Sequence, residues 1–346
     1  MRHKKSYLLL LSLLVVSVTF SASALDSQEW QLFKQRYITA EGRVLDTANG
    51  DISHSEGQGI AMLFAAAYND RPAFELLWRW TRAKLQVRDD HLFAWKWDPR
   101  VGEVTDANNA SDGDVLIAWA LYLADKRWEV KSYRHSADYI ADDIRHKLIR
   151  QTDYGAVLLP GMVGFENSAG ITVNLSYWVF PAFSFFARQG HAAQWNALSA
   201  TGERLLRQAR FGRWGLPPDW LLINGQTLSV VSHGYAPHFG YNAVRIPLYL
   251  AWDRRDTPTL LQPFASFWRD VAERGRGIPA WVDLNTDQRG SYDAPRGFYS
   301  ILNFVNERQG RGEWLGFPGG AAWREHYYSA SLRLMVDLAR RRIGLP

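Results

Sequence analysis

Apolar residues recur along the chain with helical spacing, and the helices they predict are of two kinds. The segment 114–128 is apolar on nearly every side, which is typical of a helix buried by its neighbours. The segment 134–150 instead gathers its apolar residues on one face and its charges elsewhere, as a surface helix does. The same alternation recurs in two further pairs of segments, 59–68 with 72–85 and 177–188 with 193–207.

Buried helices that alternate with amphipathic ones indicate an inner ring of helices wrapped by an outer ring. The short loop Asn69-Asp70-Arg71-Pro72 fits a connection between antiparallel neighbours. A solenoid of helix pairs predicts the same alternation but also a fixed repeat length, which the sequence lacks. Strand signals are sparse, with short candidates near 156–159 and 226–231. Residues 25–346 contain no linker or low-complexity run, so we expect one domain there.

The first residues have the pattern of an export signal. Three basic residues precede a mostly apolar run at 7–20, and Ala22-Ser23-Ala24 offers a small-residue cleavage site. The run is short for a membrane span, and no second hydrophobic stretch follows. We therefore expect residues 1–24 to be a signal peptide and the mature protein to be exported, periplasmic or secreted, without membrane insertion. An uncleaved N-terminal anchor is the alternative.

Charge and cysteine content exclude several classes of function. The net charge of +5 falls to +2 once the three basic residues of the signal segment are removed, and no basic block or nucleic-acid motif occurs. We therefore expect no nucleic-acid partner. Cysteine is absent, which excludes disulfides and thiolate metal sites. The nine histidines show no zinc-ligand spacing, so no metal site is predicted.

Aromatic residues are abundant: 16 Trp, 15 Tyr and 17 Phe. Flat apolar rings with polar edges suit the faces and hydroxyl rims of sugar rings. Core packing accounts for most of them in any large domain. The composition is therefore compatible with a sugar cleft but does not establish one.

Two acidic segments stand at predicted helix starts. Glu56 lies in Ser53-His54-Ser55-Glu56-Gly57-Gln58-Gly59, and two aspartates lie in Ala110-Ser111-Asp112-Gly113-Asp114. Ser53 with Glu56, and Ser111 with Asp114, resemble capping boxes, in which the acids only cap a helix. Cleavage of a glycosidic bond, however, needs several carboxylates around one sugar. The neighbouring glycines are interpreted as leaving room for that sugar.

The second segment also resembles the signature of glycoside hydrolase family 8. The matching residues are Ala110-Ser111-Asp112-Gly113-Asp114-x-x-Ile117-Ala118-x-Ala120-Leu121-x-x-Ala124-x-x-x-Trp128, with Tyr122 where the family usually has an aliphatic residue or glycine. The likeness continues along the chain in further short segments. These are 41–44, 55–58, 159–161, 218–220 and 245–247.

The resemblance implies an all-α (α/α)6 barrel of six inner and six outer helices, an inverting mechanism and no cofactor. It implies endo-acting cleavage of a β-1,4-glucan such as cellulose, with xylan and chitosan as alternatives. It places the general acid at Glu56 and assigns Asp112 to stabilising the sugar in the cleft. Asp114 is expected to cap or brace the site. The family's cellulases associated with bacterial cellulose synthesis are the most similar, which suggests a functional link to such a machine.

One segment departs from the family pattern where an inverting enzyme needs a base. The cellulases of the family have Tyr-Asp-Ala-x-Arg there, and this chain has Tyr241-Asn242-Ala243-Val244-Arg245. An asparagine amide orients water but does not accept its proton. Three alternatives follow: another base, a slow enzyme, or a glucan-binding homologue without turnover. The base candidates named from the sequence are Asp253, Asp283 and Asp293.

Other residues are predicted to contact the substrate. Tyr241, Asn242 and Arg245 are assigned to substrate binding, and Arg245 is expected to pair with a cleft carboxylate. Trp95, Trp97 and Tyr177 are predicted to stack on sugars. Trp119 has the alternative of core packing within its buried helix. His54 is either a proton relay beside Glu56 or an exposed loop histidine.

Overall fold

The computed structural model describes most of the chain. The described residues are 22–231, 234–273, 277–311, 316 and 325–341. Most of the predicted signal peptide, residues 1–21, lies outside them, and its cleavage site at Ala24 falls within the first described helix. Within these ranges, no helix is both long and apolar enough to cross a membrane.

Helices dominate the structure, as the apolar spacing predicts. Eleven α-helices lie in the described residues, one fewer than the twelve expected from six inner and six outer helices. They are α1 (Ala22–Tyr37), α2 (Ser55–Ala67), α3 (Arg71–Leu85), α4 (Ser111–Trp128), α5 (Lys131–Asp143), α6 (Phe180–Gln189), α7 (Ala192–Gln208), α8 (Arg245–Trp252), α9 (Pro258–Glu273), α10 (Arg296–Arg308) and α11 (Tyr327–Arg340).

The two kinds of helix have the burial that their sequences predict. In α2 every residue except Glu56 is buried, and α4 is buried from Ser111 to Ala124. The following helices α3 and α5 bury only one face. Inter-helix contacts form a ring, since α2 contacts α4, α4 contacts α6, α6 contacts α8, α8 contacts α11, and α11 returns to α2. Side chains from the first turns of α2, α4 and α8 hydrogen-bond to one another.

Several helix boundaries differ from the prediction. Helices α2, α4 and α5 begin three or four residues before the predicted segments 59–68, 114–128 and 134–150. The helix predicted over 134–150 ends as an α-helix at Asp143, continues as a π-helical turn to Leu148, and gives way to a strand at Ile149. The strand pairs with a partner that lies beyond a turn, which helical periodicity does not reveal. The helix predicted from residue 177 begins at Phe180, because Pro181 favours the first turn of a helix.

The connections carry short antiparallel strands, so the fold is mostly helical rather than purely helical. They form one three-stranded, one four-stranded and two two-stranded sheets. The strands are β1 (Ser53–His54), β2 (Ala94–Asp98), β3 (Glu103–Asn109), β4 (Ile149–Thr152), β5 (Gly155–Leu158), β6 (Glu166–Asn167), β7 (Gly170–Val173), β8 (Leu221–Asn224), β9 (Thr227–Val230), β10 (His238–Phe239) and β11 (Val282–Asp283). The two strand candidates of the sequence correspond to β5 and β9.

Candidate active site

Glu56 lies in the first turn of α2, directly after strand β1. Gln58 ties the start of α2 to the preceding segment, because its side-chain oxygen accepts from the amide of Val44 at 2.7 Å. The Gln58 amide nitrogen donates to Thr81 Oγ1 of α3 at 2.8 Å. The Glu56 carboxylate remains partly exposed and lines a cleft.

The capping-box interpretation of both acidic segments is wrong. The residue that caps α2 is His54, whose Nδ1 accepts from the amide of Gly57 at 3.0 Å, while Ser53 Oγ donates to the carbonyl of Val44. Helix α4 follows Ala110, which has no side-chain oxygen, so no side chain caps it. Glu56 and Asp112 are therefore not engaged as caps.

Asp112 is the second residue of α4 and is almost fully buried. Its Oδ1 accepts from the amide of Gly113 at 2.8 Å, and Oδ2 faces the cleft. Asp114, two residues on, points away from the cleft and joins two neighbouring segments. It accepts from the amide of Phe93 at 2.9 Å and from Asn109 Nδ2 at 2.7 Å. Of the two expected roles, capping and bracing, Asp114 has the second, since it holds Phe93 and Asn109 beside the start of α4.

The glycines beside the acids serve helix packing, which corrects their interpretation as space for a sugar. A Cβ on Gly113 would lie 2.7 Å from the amide nitrogen of Glu56 and closer still to Ser55 Oγ. A Cβ on Gly59 would lie 2.7 Å from Leu116 Cβ of α4. The starts of α2 and α4 can therefore touch only because glycine, which has no side chain, stands at both points of contact. This contact places Glu56 and Asp112 side by side.

Arg245, the first residue of α8, joins the two acids. Its Nη1 donates to the Glu56 carboxylate and to Asp112 Oδ2, the latter at 3.0 Å. Nη2 donates to Ser176 Oγ at 2.9 Å and to Asn242 Oδ1 at 3.0 Å. The expected pairing of Arg245 with a cleft carboxylate is therefore present, and it involves two carboxylates at once.

Burial shapes the protonation of this cluster. Desolvation raises the pKa of Asp112 to about 7, and it raises the pKa of Asp114 likewise to about 7. One guanidinium faces two carboxylates, so the cluster carries an excess negative charge when both are ionised. Such a cluster keeps a proton up to a higher pH than a free carboxyl does. That proton is shared by Glu56 and Asp112 and cannot be assigned to one of them.

The cluster opens into a cleft of about 860 Å³. A smaller space of about 410 Å³ shares Glu56, Asn242 and Arg245 with it and extends toward Tyr241 and Tyr328. Among the residues that the structure describes, no group of three or more His, Asp or Glu is arranged to hold a metal ion.

The predicted aromatic contacts divide into two groups. Trp95 and Tyr177 line the cleft, and the Arg245 guanidinium lies 5.7 Å from the centre of the Tyr177 ring. Trp97 does not reach the cleft, because its ring packs edge-on against Trp80 of α3. Trp119 is fully buried against Trp252, as the core alternative predicts.

Tyr241 and Asn242 both line the cleft at the start of α8. Tyr241 is 40% exposed, and its carbonyl accepts from the hydroxyl of Tyr328. Asn242 presents its side-chain oxygen to Arg245. Both residues therefore stand where the prediction places them.

None of the three sequence candidates for the base lines the cleft. Asp253 ends α8, at the opposite end of the helix from Arg245, and pairs with Arg255. Asp283 accepts from the amides of the turn that follows it. Asp293 lies against Gly277 and forms an isolated bridge with Pro279.

Three functional positions were missed or misjudged from the sequence. His54 is not an exposed loop residue, since its side chain is mostly buried between Asp46 and Glu56. Asp46 is a buried cleft carboxylate, and although burial raises its pKa, hydrogen bonds from His54 and Asn49 bring the pKa below its usual value. Ser176 binds Arg245. Only contacts between distant segments reveal these roles.

The helical fold and a cleft with arginine-bridged carboxylates are those of a glycosidase. The chain matches the glycosyl hydrolases family 8 over residues 2–342 and belongs to that family. A probable endoglucanase of Novacetimonas hansenii is 39% identical over 320 residues, 91% of this chain and 90% of the relative. An endoglucanase of Cellulomonas uda is 36% identical over 80% of this chain and 76% of its own length.

Solved structures agree with this assignment. The endo-β-1,4-glucanase of Acetobacter xylinum is 37% identical and superimposes with a TM-score of 0.82 over 93% of this chain and 99% of its own. The family 8 endoglucanase of Klebsiella pneumoniae is 35% identical, with a TM-score of 0.83 over 91% and 99% of the two chains. The chain is thus a glycosidase of the family that includes these cellulases.

Proposed function

We propose that the protein is an endo-acting hydrolase of β-1,4-glucan that works with inversion at the anomeric carbon, within an (α/α)6 barrel. The observation that carries the proposal is the Glu56–Arg245–Asp112 cluster in the lining of the cleft. The names of the relatives support the choice of a β-1,4-glucan over other polysaccharides.

Glu56 is proposed as the general acid. Its carboxyl is the more exposed of the two acids in the cluster, so it is the one that a glycosidic oxygen reaches. Protonation of that oxygen breaks its bond to C1 while water attacks C1 from the opposite face. Asp112, buried beside it, stabilises the positive charge that develops on the sugar ring.

Substrate binding is assigned to the side chains along the cleft. Trp95 and Tyr177 offer aromatic surface for sugar rings, and Tyr241 extends that surface beyond Asn242. Arg245 orients both acids and gives the cluster its charge balance. Trp97 is not assigned to substrate binding, because its ring packs against Trp80 of α3.

Export and the cellulose link are also proposed. The N-terminal segment has the composition of a signal peptide, which supports a periplasmic or secreted enzyme. Similarity to the Acetobacter endoglucanase supports a role beside a cellulose synthesis machine. The low net charge of the predicted mature chain and the single short apolar run support a protein with no nucleic-acid partner and no membrane insertion after the signal is removed.

The test compares wild type with Glu56→Gln on carboxymethylcellulose, by counting reducing ends and measuring viscosity. Loss of an acid is worth about 10²–10⁴-fold in rate, so the variant should be nearly inactive while it still binds cello-oligosaccharides. Glu75→Gln is the matched control, since Glu75 is an exposed acid of α3 that pairs with Arg71. Equal release by wild type and Glu56→Gln would overturn the proposal.

A second candidate is a slow or noncatalytic glucan-binding homologue, which Asn242 favours. The cleft would then bind the chain without turnover. Cello-oligosaccharide binding by wild type, with no reducing ends above the Glu56→Gln background, would support it over hydrolysis.

A further inference from the structure

The side chain of Asn242 is held in a way that disqualifies it as a proton acceptor. Its Oδ1 accepts from Arg245 Nη2 at 3.0 Å, which leaves the amide NH₂ as the group free to face the cleft. An NH₂ group donates hydrogen bonds and takes no proton from water. A hydrolase built on this cleft therefore needs a carboxylate near Asn242, on the side away from Glu56.

The other carboxylates that line the cleft are already engaged. Glu56 and Asp112 share Arg245. Asp46 stands on the acid's own side, where its two oxygens accept from Ala48, Asn49 and His54. An inverting reaction needs acid and base on opposite faces of the sugar, and Asp46 contacts the same imidazole as Glu56, which favours a base elsewhere.

Asp219 lies behind Asn242, whose backbone amide donates to it, and it is not itself among the residues that line the cleft. Its Oδ1 accepts from the backbone amides of Gly240 at 3.1 Å, Asn242 at 3.2 Å and Ala243 at 2.7 Å. One aspartate oxygen thus fixes the backbone that carries Asn242. The next residue, Trp220, has its ring against Tyr177, which lines the cleft.

The second oxygen of Asp219 faces a glycine. A Cβ on Gly240 would lie 3.2 Å from Oδ2, so any other residue there would crowd this oxygen. Among the described residues, no hydrogen bond to Oδ2 is present, and the side chain is only partly buried. Within the described part of the chain, Asp219 thus has one oxygen that accepts three backbone amides and one without a hydrogen-bond partner.

We propose, on the basis of the proposed hydrolase function, that Asp219 is the general base of this chain and replaces the carboxylate that Asn242 lacks. The attacking water, oriented by Asn242, gives its proton to Asp219 Oδ2 through one intervening water, because Asp219 stands behind the residues that line the cleft. Its oxygen bonds to C1 as the C1–O bond to the leaving sugar breaks. The leaving oxygen takes the proton of Glu56, so the reaction consumes one water and leaves Asp219 protonated and Glu56 ionised. Proton exchange with solvent restores both.

The electrostatics of Asp219 suit this role. Burial raises its pKa to about 6, although the three amide hydrogen bonds act in the opposite direction. A carboxylate with a raised pKa remains ionised at neutral pH but accepts a proton more readily than an ordinary aspartate.

The test uses Asp219→Asn, whose side-chain oxygen still accepts the three backbone amides. Cello-oligosaccharide hydrolysis is measured in the full chain with and without sodium azide, and products are examined by NMR. We expect kcat to fall about 10²–10⁴-fold with KM and melting temperature little changed. Azide, which needs no base, should restore turnover and yield the α-glycosyl azide.

Two further variants separate catalysis from structure. Asn242→Asp introduced into Asp219→Asn should recover the rate, because it places a carboxylate at the family position. Asp283→Asn, which removes charge from another turn aspartate that accepts backbone amides, should leave the rate unchanged.

The outcomes are distinct. If wild type hydrolyses the glucan and Asp219→Asn keeps its rate within about threefold, then Asp219 is only an anchor and the inference is overturned. A rate loss that neither azide nor Asn242→Asp restores also overturns it. If wild type itself releases no sugar, the proposed function fails first.

Discussion

Arg245 Nη1 lies 3.0 Å from Asp112 Oδ2, and this buried contact joins the start of α8 to the start of α4. The same guanidinium nitrogen donates to Glu56 from the start of α2. Three helices separated by long stretches of sequence are thus held at one point by a single cation. The stability of the fold and the geometry of the cleft depend on the same residue.

Arg245→Met should therefore destabilise the protein as well as abolish hydrolysis. Removing one partner of a buried ion pair costs about 3–5 kcal/mol, because the remaining charges are buried without compensation. The loss should be smaller at pH 5 than at pH 7.5, since carboxylates with a raised pKa are protonated at the lower pH. Urea unfolding at both pH values measures this. Arg71→Met, at an exposed pair, should cost under about 1 kcal/mol at either pH.

Gly113→Ala tests whether helix contact places the acids. The added methyl would press on Ser55 and on the backbone of Glu56, and overpacking of this kind costs about 1–3 kcal/mol. We expect a lower melting temperature and a lower kcat. Ser55→Ala alone should be tolerated, because the buried Ser55 hydroxyl has no hydrogen-bond partner among the described residues. The double variant should recover part of the loss. Full activity in Gly113→Ala would contradict this account.

Trp95 and Trp97 provide a matched pair in one strand. Trp95→Ala should raise KM for cello-oligosaccharides with little change in melting temperature, since its ring lines the cleft. If a sugar on the ring gains as much as a pair of aromatic rings does, about 0.5–1.5 kcal/mol, then KM should rise from a few-fold to about tenfold. Trp97→Ala should lower the melting temperature instead, with KM nearly unchanged, because its ring contacts Trp80. The reverse pattern would return Trp97 to the substrate site.

The pH dependence of kcat/KM follows from two raised pKa values. The base must be ionised, so activity should fall below about pH 6, the pKa of Asp219. The acid pair must hold one proton, so activity should fall above about pH 7, the pKa that burial gives Asp112. A narrow optimum between these values is expected from initial rates on a soluble substrate. In the double variant Asp219→Asn with Asn242→Asp, the fall in kcat/KM on the acid side of the pH profile should occur at a different pH. If that fall stays where it is in wild type, a group other than Asp219 causes it.

Local pattern was enough to predict most helices and both acidic segments. The burial of α2 and α4 follows from their apolar sequences, and the two strand candidates coincide with β5 and β9. The end of α5 was misplaced because the strand after it is defined by a partner across a turn.

The details of the site were harder to predict because they depend on contacts between distant segments. Nothing local distinguishes Trp95 from Trp97, yet one lines the cleft and the other packs on α3. Likewise, His54 rather than Ser53 caps α2, since Ser53 is already bonded to Val44. The contact of Asp219 with the backbone of Asn242 joins two segments that are far apart in sequence, so no local pattern indicates it.

The contact through Gly113 also separates two properties of the enzyme. The spacing of Glu56 and Asp112 is set by helix backbones, whereas Trp95 and Tyr241 stand on strands and loops around the cleft. Replacing those loops would change which polysaccharide is accepted without moving the two acids. The positions of the two acids therefore do not depend on the residues that select the substrate, and exchanging loops should change the substrate while the acids stay in place.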